Sequence, residues 1–168
     1  MGGNMGVKAR EIVGKDADRI VKLLNGALAD EWLAYYQYWV GSLVVRGPMR
    51  PDVQKELKEH ADDEFKHANM LADRIVKLGG TPLLNPSDWL KHSKYGYDEP
   101  KDAHVLKILR QNIEGEQCAI EAYSNILKVA MDAKDFSTFN MVRKILDDEI
   151  GHEQDLQDLE NDIKLIGK

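Results

Sequence analysis

Prolines and clustered glycines break this chain at a few places and leave four long segments with no proline. The second segment stops at Gly79-Gly80, with Pro82 just beyond, which is a typical helix ending. Pro51 stands where a helix can begin, since proline is tolerated in the first turn. The pattern predicts four long helices. Their expected ranges are 16–45, 52–78, 101–131 and 136–166.

Apolar residues recur along each segment at helical spacing, as at Val105, Leu109 and Ile113 in the third. One apolar face per helix predicts an all-α, antiparallel four-helix bundle. Short links make the first and last pairs of helices into hairpins. The link over 79–100 is long enough to run the length of the bundle as a crossover between helices 2 and 3. Within it, 85–90 reads as a capped short extra helix.

Composition narrows the class of protein. The 168 residues predict a single domain over 1–168, with 1–15 as a flexible N-terminus. A net charge of -6 argues against binding to nucleic acid. The lack of a membrane-spanning stretch or signal peptide predicts a cytoplasmic protein with no membrane partner. The single cysteine, Cys118, excludes a disulfide framework or a cysteine-based metal site within one chain.

Two Glu-x-x-His motifs carry the chemistry, Glu64 with His67 and Glu149 with His152. A spacing of three places both side chains of each pair on one helix face. Either motif alone is a weak signal, because polar helices produce it by chance. Each pair, however, interrupts the apolar stripe of its helix, where ionisable groups are costly unless they are paired or coordinated.

The other two long helices each supply a glutamate on the same apolar stripe, Glu31 and Glu116. Glu114 is an alternative to Glu116, but two residues of helix rotate it by about 200°, onto the polar face. The sequence therefore predicts that Glu114 is solvated and that Glu116 points inward.

The two halves of the chain repeat with a shift of 85 residues. The single glutamate precedes the paired one by 33 residues in each half, and a tyrosine, Tyr38 or Tyr123, follows it by seven. Such a repeat predicts a pseudo-twofold bundle that brings the ionisable residues to one height. Chance placement of six core-facing ionisable residues is the competing interpretation. The predicted ligands are Glu31, Glu64, His67, Glu116, Glu149 and His152.

Four carboxylates and two imidazoles suit a pair of iron ions, with manganese or zinc as alternatives. Six ligands shared by two ions leave positions open for oxygen or peroxide. The two tyrosines are predicted either to donate hydrogen bonds to the ligands or to supply electrons, and simple packing is the alternative. His60 and Asp63 are predicted either to lead iron towards a cavity or simply to lie on the helix surface or pack in the core.

From 16 to 166 the chain resembles the ferritin family, and most of all the bacterioferritins, whose two ions lie within one subunit. The similarity lies in the order of the four ligand motifs, in the stretches 64–68 and 148–152, and in Tyr38. The resemblance implies a ferroxidase in which Glu64 and Glu149 bridge two irons. Glu31 and His67 would complete one ion, and Glu116 and His152 the other.

Two departures from the bacterioferritin pattern bear on the subtype. Phe65 stands where bacterioferritins carry the methionine that ligates haem, so haem would need Met49 or Met70 instead. Only sixteen residues follow His152, too few for the fifth helix of 24-subunit ferritins. The short extra helix resembles that of Dps proteins and implies a homo-oligomer of twelve subunits. Dps-like proteins with this type of site often have a cysteine pair, whereas this chain has only Cys118.

The resemblance implies oxidation of Fe(II) by O2 or H2O2, with storage of iron and removal of peroxide. One alternative is a non-storing peroxidase or manganese catalase, and the rubrerythrin type is disfavoured by the missing Cys-x-x-Cys module. A second alternative is a Dps that protects DNA, which the net charge and the lack of a basic tail disfavour.

Overall fold

The computed structural model describes residues 7–166, and it confirms the all-α bundle with its crossover and short extra helix. The helices are α1 (Val7–Val13), α2 (Ala17–Val44), α3 (Arg50–Lys77), α4 (Trp89–His92), α5 (Val105–Asp132) and α6 (Phe136–Ile166). Two 3-10 turns, Gly14–Asp16 and Pro86–Asp88, precede α2 and α4. In the described part of the chain, no helix is both long and apolar enough to cross a membrane.

Local chemistry sets the helix ends. After α3 the backbone turns left-handed at Gly79 (φ 71°), and the Gly80 N–H donates to the carbonyl of Ile75 at 2.9 Å. This is the glycine ending expected from the sequence. The α5 helix begins at Val105, four residues later than expected, because Arg46 exchanges backbone hydrogen bonds with Ala103 and Val105. Residues 101–104 are therefore held outside the helix.

The second half of the N-terminal segment is helical. Residues 1–6 lie outside the described part, whereas Val7–Val13 form α1. The Arg10 guanidinium donates to the Leu78 carbonyl at 3.1 Å and pairs with Asp18 at 2.5 Å. These bonds tie α1 to the ends of α2 and α3. Flexibility over 1–15 stays a prediction, and the helix in its second half is a feature that the sequence pattern did not indicate.

The crossover follows α2 from one end of the bundle to the other. Asn25 bonds the backbone of Thr81 and Leu83, and Asp30 accepts from Ser93 and Lys94. Further along, the Asp98 N–H donates to Gln37, and the backbone pairing with Arg46 closes the path. The α2–α3 hairpin and the α5–α6 hairpin thus lie side by side, and the crossover runs along α2.

The hydrophobic core is divided into two clusters along the bundle axis. One contains Ile20, Leu24, Leu71 and Ile75, and the other contains Leu57, Ile108 and Leu156 among their members. The ionisable residues of the two Glu-x-x-His motifs lie between the positions that these clusters occupy on α3 and α6. The bundle therefore encloses a polar layer between two apolar ones.

Candidate metal centre

The structure brings all six predicted ligands together in this polar layer. Each side chain comes from the inward face of a long helix, and each residue is at most 5% exposed. Glu114 is exposed, on the opposite side of α5 from Glu116. The set comprises Glu31 on α2, Glu64 and His67 on α3, Glu116 on α5, and Glu149 and His152 on α6.

The six residues form two overlapping groups of four, each with a histidine at its centre. Nδ1 of His67 lies 3.2 Å from Glu149, 3.3 Å from Glu64 and 3.5 Å from Glu31. Nδ1 of His152 lies 3.5 Å from both Glu64 and Glu149, and 3.6 Å from Glu116. The groups thus share Glu64 and Glu149, and each has its own histidine and one further glutamate.

Both shared glutamates divide their oxygens between the two groups. Glu64 turns Oε2 towards His67 and Oε1 towards His152. Glu149 turns Oε1 towards His67 and Oε2 towards His152. A carboxylate placed in this way can bridge two ions, since each ion then meets one of its oxygens. Two divalent cations bound to these groups would share Glu64 and Glu149.

Several ligand atoms in this layer are buried without a hydrogen bond of acceptable geometry. Within residues 7–166 these include Oε2 of Glu31, both oxygens of Glu149 and Nδ1 of His152. Buried polar atoms without partners cost about 1–3 kcal/mol each. Two divalent cations would supply the missing partners, and the mixed oxygen and nitrogen donors suit iron, manganese or zinc. The residues therefore fit a dimetal centre.

An aspartate from the opposite hairpin lies behind each histidine. Nε2 of His67 lies 3.2 Å from Oδ2 of Asp148, and Nε2 of His152 lies 3.5 Å from Oδ2 of Asp63. A carboxylate on the outer nitrogen fixes the ring orientation and the tautomer of a ligating histidine. The sequence repeat shows both aspartates one position before the paired glutamates, but spacing alone did not reveal which histidine each one meets.

The two tyrosines also cross between hairpins. The buried Tyr38 hydroxyl donates to Oε1 of Glu116, and the Tyr123 hydroxyl donates to Oε1 of Glu31. Burial raises the pKa of both phenols well above its usual value, and the facing carboxylates add to the rise. Both tyrosines are therefore neutral hydrogen-bond donors that orient the two unshared glutamates.

Four of the six groups, the two unshared glutamates and the two histidines, hold their protons more tightly than usual. Burial raises the pKa of the Glu31 and Glu116 carboxyls well above the usual range, and the charges of the shared glutamates raise it further. Burial alone would lower the pKa of His67 and His152, but the carboxylates that face them raise it well above its usual value. Metal ions must displace these protons, because their ligands bind in the deprotonated form.

The sequence matches the model of a known protein family over most of its length. The family model described as "Ferritin-like domain" matches residues 21–166, which include all six residues. The chain belongs to the ferritin-like family. It is 28% identical to the bacterioferritin of Desulfovibrio desulfuricans, over 89% of this chain and 78% of that protein. It is 29% identical to the DNA protection during starvation protein of Pyrococcus furiosus, over 89% and 80%.

Among solved structures, a dodecameric thioferritin, the bacterioferritin-related protein of Bacteroides fragilis, superposes with a TM-score of 0.93. The two chains are 44% identical, and the match covers 96% of each. The Dps of Thermosynechococcus elongatus superposes with a TM-score of 0.81 at 20% identity, over 84% of this chain and 90% of that one, which shows the shared fold. The chain is therefore similar both to bacterioferritins and to DNA protection during starvation proteins.

Phe65 is 46% exposed and packs edge-on against Trp32, at 5.7 Å between ring centroids. Trp32 in turn stacks on Trp89 of α4 at 5.3 Å. The two alternative haem ligands are far apart along the bundle, since Met49 packs against one core cluster and Met70 against the other. The surface beside Phe65 is thus aromatic, and the short α4 helix is anchored to it.

Cys118, the single cysteine, is partly exposed. It lies on α5, five residues before Tyr123. Partial burial raises the pKa of its thiol, and the nearby carboxylate of Glu121 adds to the rise. The thiol is therefore less easily ionised than a fully solvated one.

A pocket between α2 and α5 leads to the centre from the crossover side, a feature that the sequence did not indicate. Its walls include the small residues Ala34, Gly115 and Ala119, and it is bounded by Tyr95 and Gly96 of the crossover. Glu31, Glu64, Glu116 and Glu149 line its inner end together with both buried tyrosines. The pocket could admit a molecule as small as dioxygen or peroxide to the four glutamates.

We expect Tyr38→Phe and Tyr123→Phe each to lower metal affinity or the rate of Fe(II) oxidation by roughly 10–100-fold, the usual effect of losing a group that orients a ligand. The stoichiometry of bound metal should not change, because all six ligands remain. Anaerobic Co(II) titration and stopped-flow oxidation measure the two quantities. Tyr36→Phe is the control, since Tyr36 is 48% exposed on the same helix. Equal metal affinities and equal oxidation rates in all three variants and the wild type would contradict the role given to the buried phenols.

Proposed function

We propose that this protein is a ferroxidase that oxidises Fe(II) at a dimetal centre within one chain and stores the product in a homo-oligomeric cage. The observation that carries the proposal is the pair of four-residue groups joined by Glu64 and Glu149, each with one oxygen directed to each histidine. Membership of the ferritin-like family supports it. The oxidant in the proposal is O2 or H2O2.

In this proposal Glu31, Glu64, His67 and Glu149 hold one iron, and Glu64, Glu116, Glu149 and His152 hold the other. Two irons held side by side supply two electrons, one from each Fe(II) as it becomes Fe(III), which is the number that H2O2 needs for reduction to water. Manganese or zinc can occupy the same donors. Haem has no place in the proposal, because Phe65 replaces the methionine.

The protein's own groups position the ligands and control protons. Tyr38 and Tyr123 hold the unshared glutamates, and Asp63 and Asp148 hold the histidines. The two core clusters keep bulk water away along the bundle axis. Protons that leave the carboxyls and imidazoles when iron binds are available to an oxidant as it is reduced.

The cage is supported by the thioferritin of Bacteroides fragilis, which is described as dodecameric and matches 96% of this chain at 44% identity. A cage gives the product a closed interior, whereas a dimer would release it. Twelve copies of this 19.1 kDa chain are therefore proposed. A cytoplasmic location, where Fe(II) is available, is part of the same proposal.

Fe(II) titration of metal-free protein without oxygen, followed by rapid mixing with O2 or H2O2, tests the proposal. We expect binding to saturate at two Fe(II) per chain and both irons to be oxidised after mixing. Native mass should equal twelve times that of the 19.1 kDa chain. A dimer with the same oxidation would favour the non-storing peroxidase or catalase, and protein that binds no Fe(II) would overturn the ferroxidase assignment.

A further inference from the structure

A second ionisable region lies beside the centre, in a pocket between α3 and α6. Its lining contains five carboxylates, from Glu56, Glu59, Asp62, Asp63 and Asp155. The one lysine among the lining residues, Lys66, is paired with Asp63 at 2.6 Å. A concave surface with this excess of negative charge raises the local concentration of cations. Acidic clusters are common on protein surfaces, so the charge alone does not define a site.

His60 supplies the independent observation. The residue is 2% exposed, and within residues 7–166 neither of its ring nitrogens makes a hydrogen bond. Its ring is fixed by stacking on His152 at 4.1 Å between centroids and by an edge contact with Tyr38 at 5.2 Å. A buried imidazole held in place without a hydrogen-bond partner is costly and needs an explanation.

Two carboxylates lie close to the His60 ring. Nε2 of His60 lies 3.1 Å from Oε1 of Glu56, although the geometry is not that of a hydrogen bond. One ligand atom each from Glu56, His60 and Asp155 lie within 4.8 Å of one another. Bonds of about 2.0–2.2 Å to a zinc-like ion put neighbouring donors roughly 3 Å apart. An imidazole with two carboxylates favours iron, manganese or zinc over calcium or magnesium.

We propose that Glu56, His60 and Asp155 bind a third divalent cation, outside the dimetal centre. Asp155 is exposed and Glu56 partly so, which leaves the remaining positions of the ion open to water. The pocket wall includes His152, so this cation lies on the solvent side of the dimetal centre and next to one of its ligands. His60 also lies within 4.8 Å of donors on Glu116 and His152, and its ring therefore separates the two sites.

Zinc tests the site without any redox chemistry. Metal-free oligomer is equilibrated with saturating Zn(II), the bound metal is counted, and anomalous diffraction at the zinc edge locates it. We expect three ions per chain, two among the six ligands and one bonded to His60, Glu56 and Asp155. The double variant Glu56→Gln/Asp155→Asn should lose only the third ion and bind two.

The matched control is Glu59→Gln/Asp62→Asn, which removes the same charge from the same pocket at two exposed positions and should still bind three. Retention of two ions in the first variant shows that it is folded. A third site that stays empty in the wild type, or that remains filled in Glu56→Gln/Asp155→Asn, would overturn the inference. Zinc at His60 with an empty dimetal centre would support it and contradict the proposed ferroxidase.

Discussion

Replacing Glu64 and Glu149 together with alanine is expected to reduce Fe(II) oxidation to the rate seen in buffer without protein. Each residue contributes an oxygen to both groups, so the double variant removes two of the four ligands from each cation position. Catalysis by a metal pair depends on holding both ions in fixed positions. Stopped-flow oxidation and anaerobic Fe(II) titration provide the measurements.

The control for this experiment is Glu114→Ala, which removes an exposed glutamate two residues from a ligand. It should retain two Fe(II) per chain and the wild-type rate. Circular dichroism and native mass verify that the double variant is folded and assembled. If the folded double variant oxidises Fe(II) at the wild-type rate, the six-residue site is not the ferroxidase centre.

The largest loss of stability is expected from Asp135→Asn. Asp135 is 3% exposed, and its carboxylate accepts from Arg74 at 2.7 Å, from the Thr138 N–H at 3.0 Å and from the Thr138 hydroxyl. Arg74 is 8% exposed, so the substitution leaves a buried guanidinium without its anion. Breaking one partner of a buried ion pair costs about 3–5 kcal/mol. Urea unfolding at fixed protein concentration measures the difference.

Asp147→Asn serves as the control, because it removes the 62% exposed partner of Arg143 at the surface of α6 and should cost less than about 1 kcal/mol.

The stabilising effect of Asp135 should decrease as the pH falls. Burial opposes ionisation of Asp135, but the bonds from Thr138 and Arg74 hold the pKa of its carboxyl below the usual value. Its contribution is complete above the unfolded pKa of about 3.9 and is lost as the pH falls through the folded value. The gap between wild type and Asp135→Asn should therefore close in acid, and a gap that is constant with pH would contradict the ion-pair explanation.

The long helices could be predicted from proline, glycine and apolar spacing because these act locally. The α6 range of 136–166 matches the structure, and α2 and α3 differ from the expected ranges by one or two residues at each end. Interactions across the chain changed the rest. Backbone pairing with Arg46 occurs just before α5 begins, and the α1 helix contacts the end of α3 through the hydrogen bond of Arg10 to Leu78.

The six candidate ligands could be selected from the sequence because core position and the internal repeat both restrict them. Helix rotation distinguished Glu116 from Glu114. The partners of the ligands could not be predicted, since spacing along one helix does not show which side chain of another helix it meets. Contacts between helices pair Tyr38 with Glu116 and Asp148 with His67. The surroundings of His60, whose ring nitrogens make no hydrogen bond, likewise depend on how the helices pack.

The crossing of tyrosines and aspartates between the hairpins makes the two halves of the molecule depend on each other. The α2–α3 hairpin carries three of the candidate ligands, yet Tyr123 and Asp148, which contact two of them, belong to the other hairpin. The same dependence runs in the opposite direction through Tyr38 and Asp63. A change in either hairpin is therefore expected to disturb donor atoms of both groups. The two halves of the repeat, although similar in sequence, are mutually dependent.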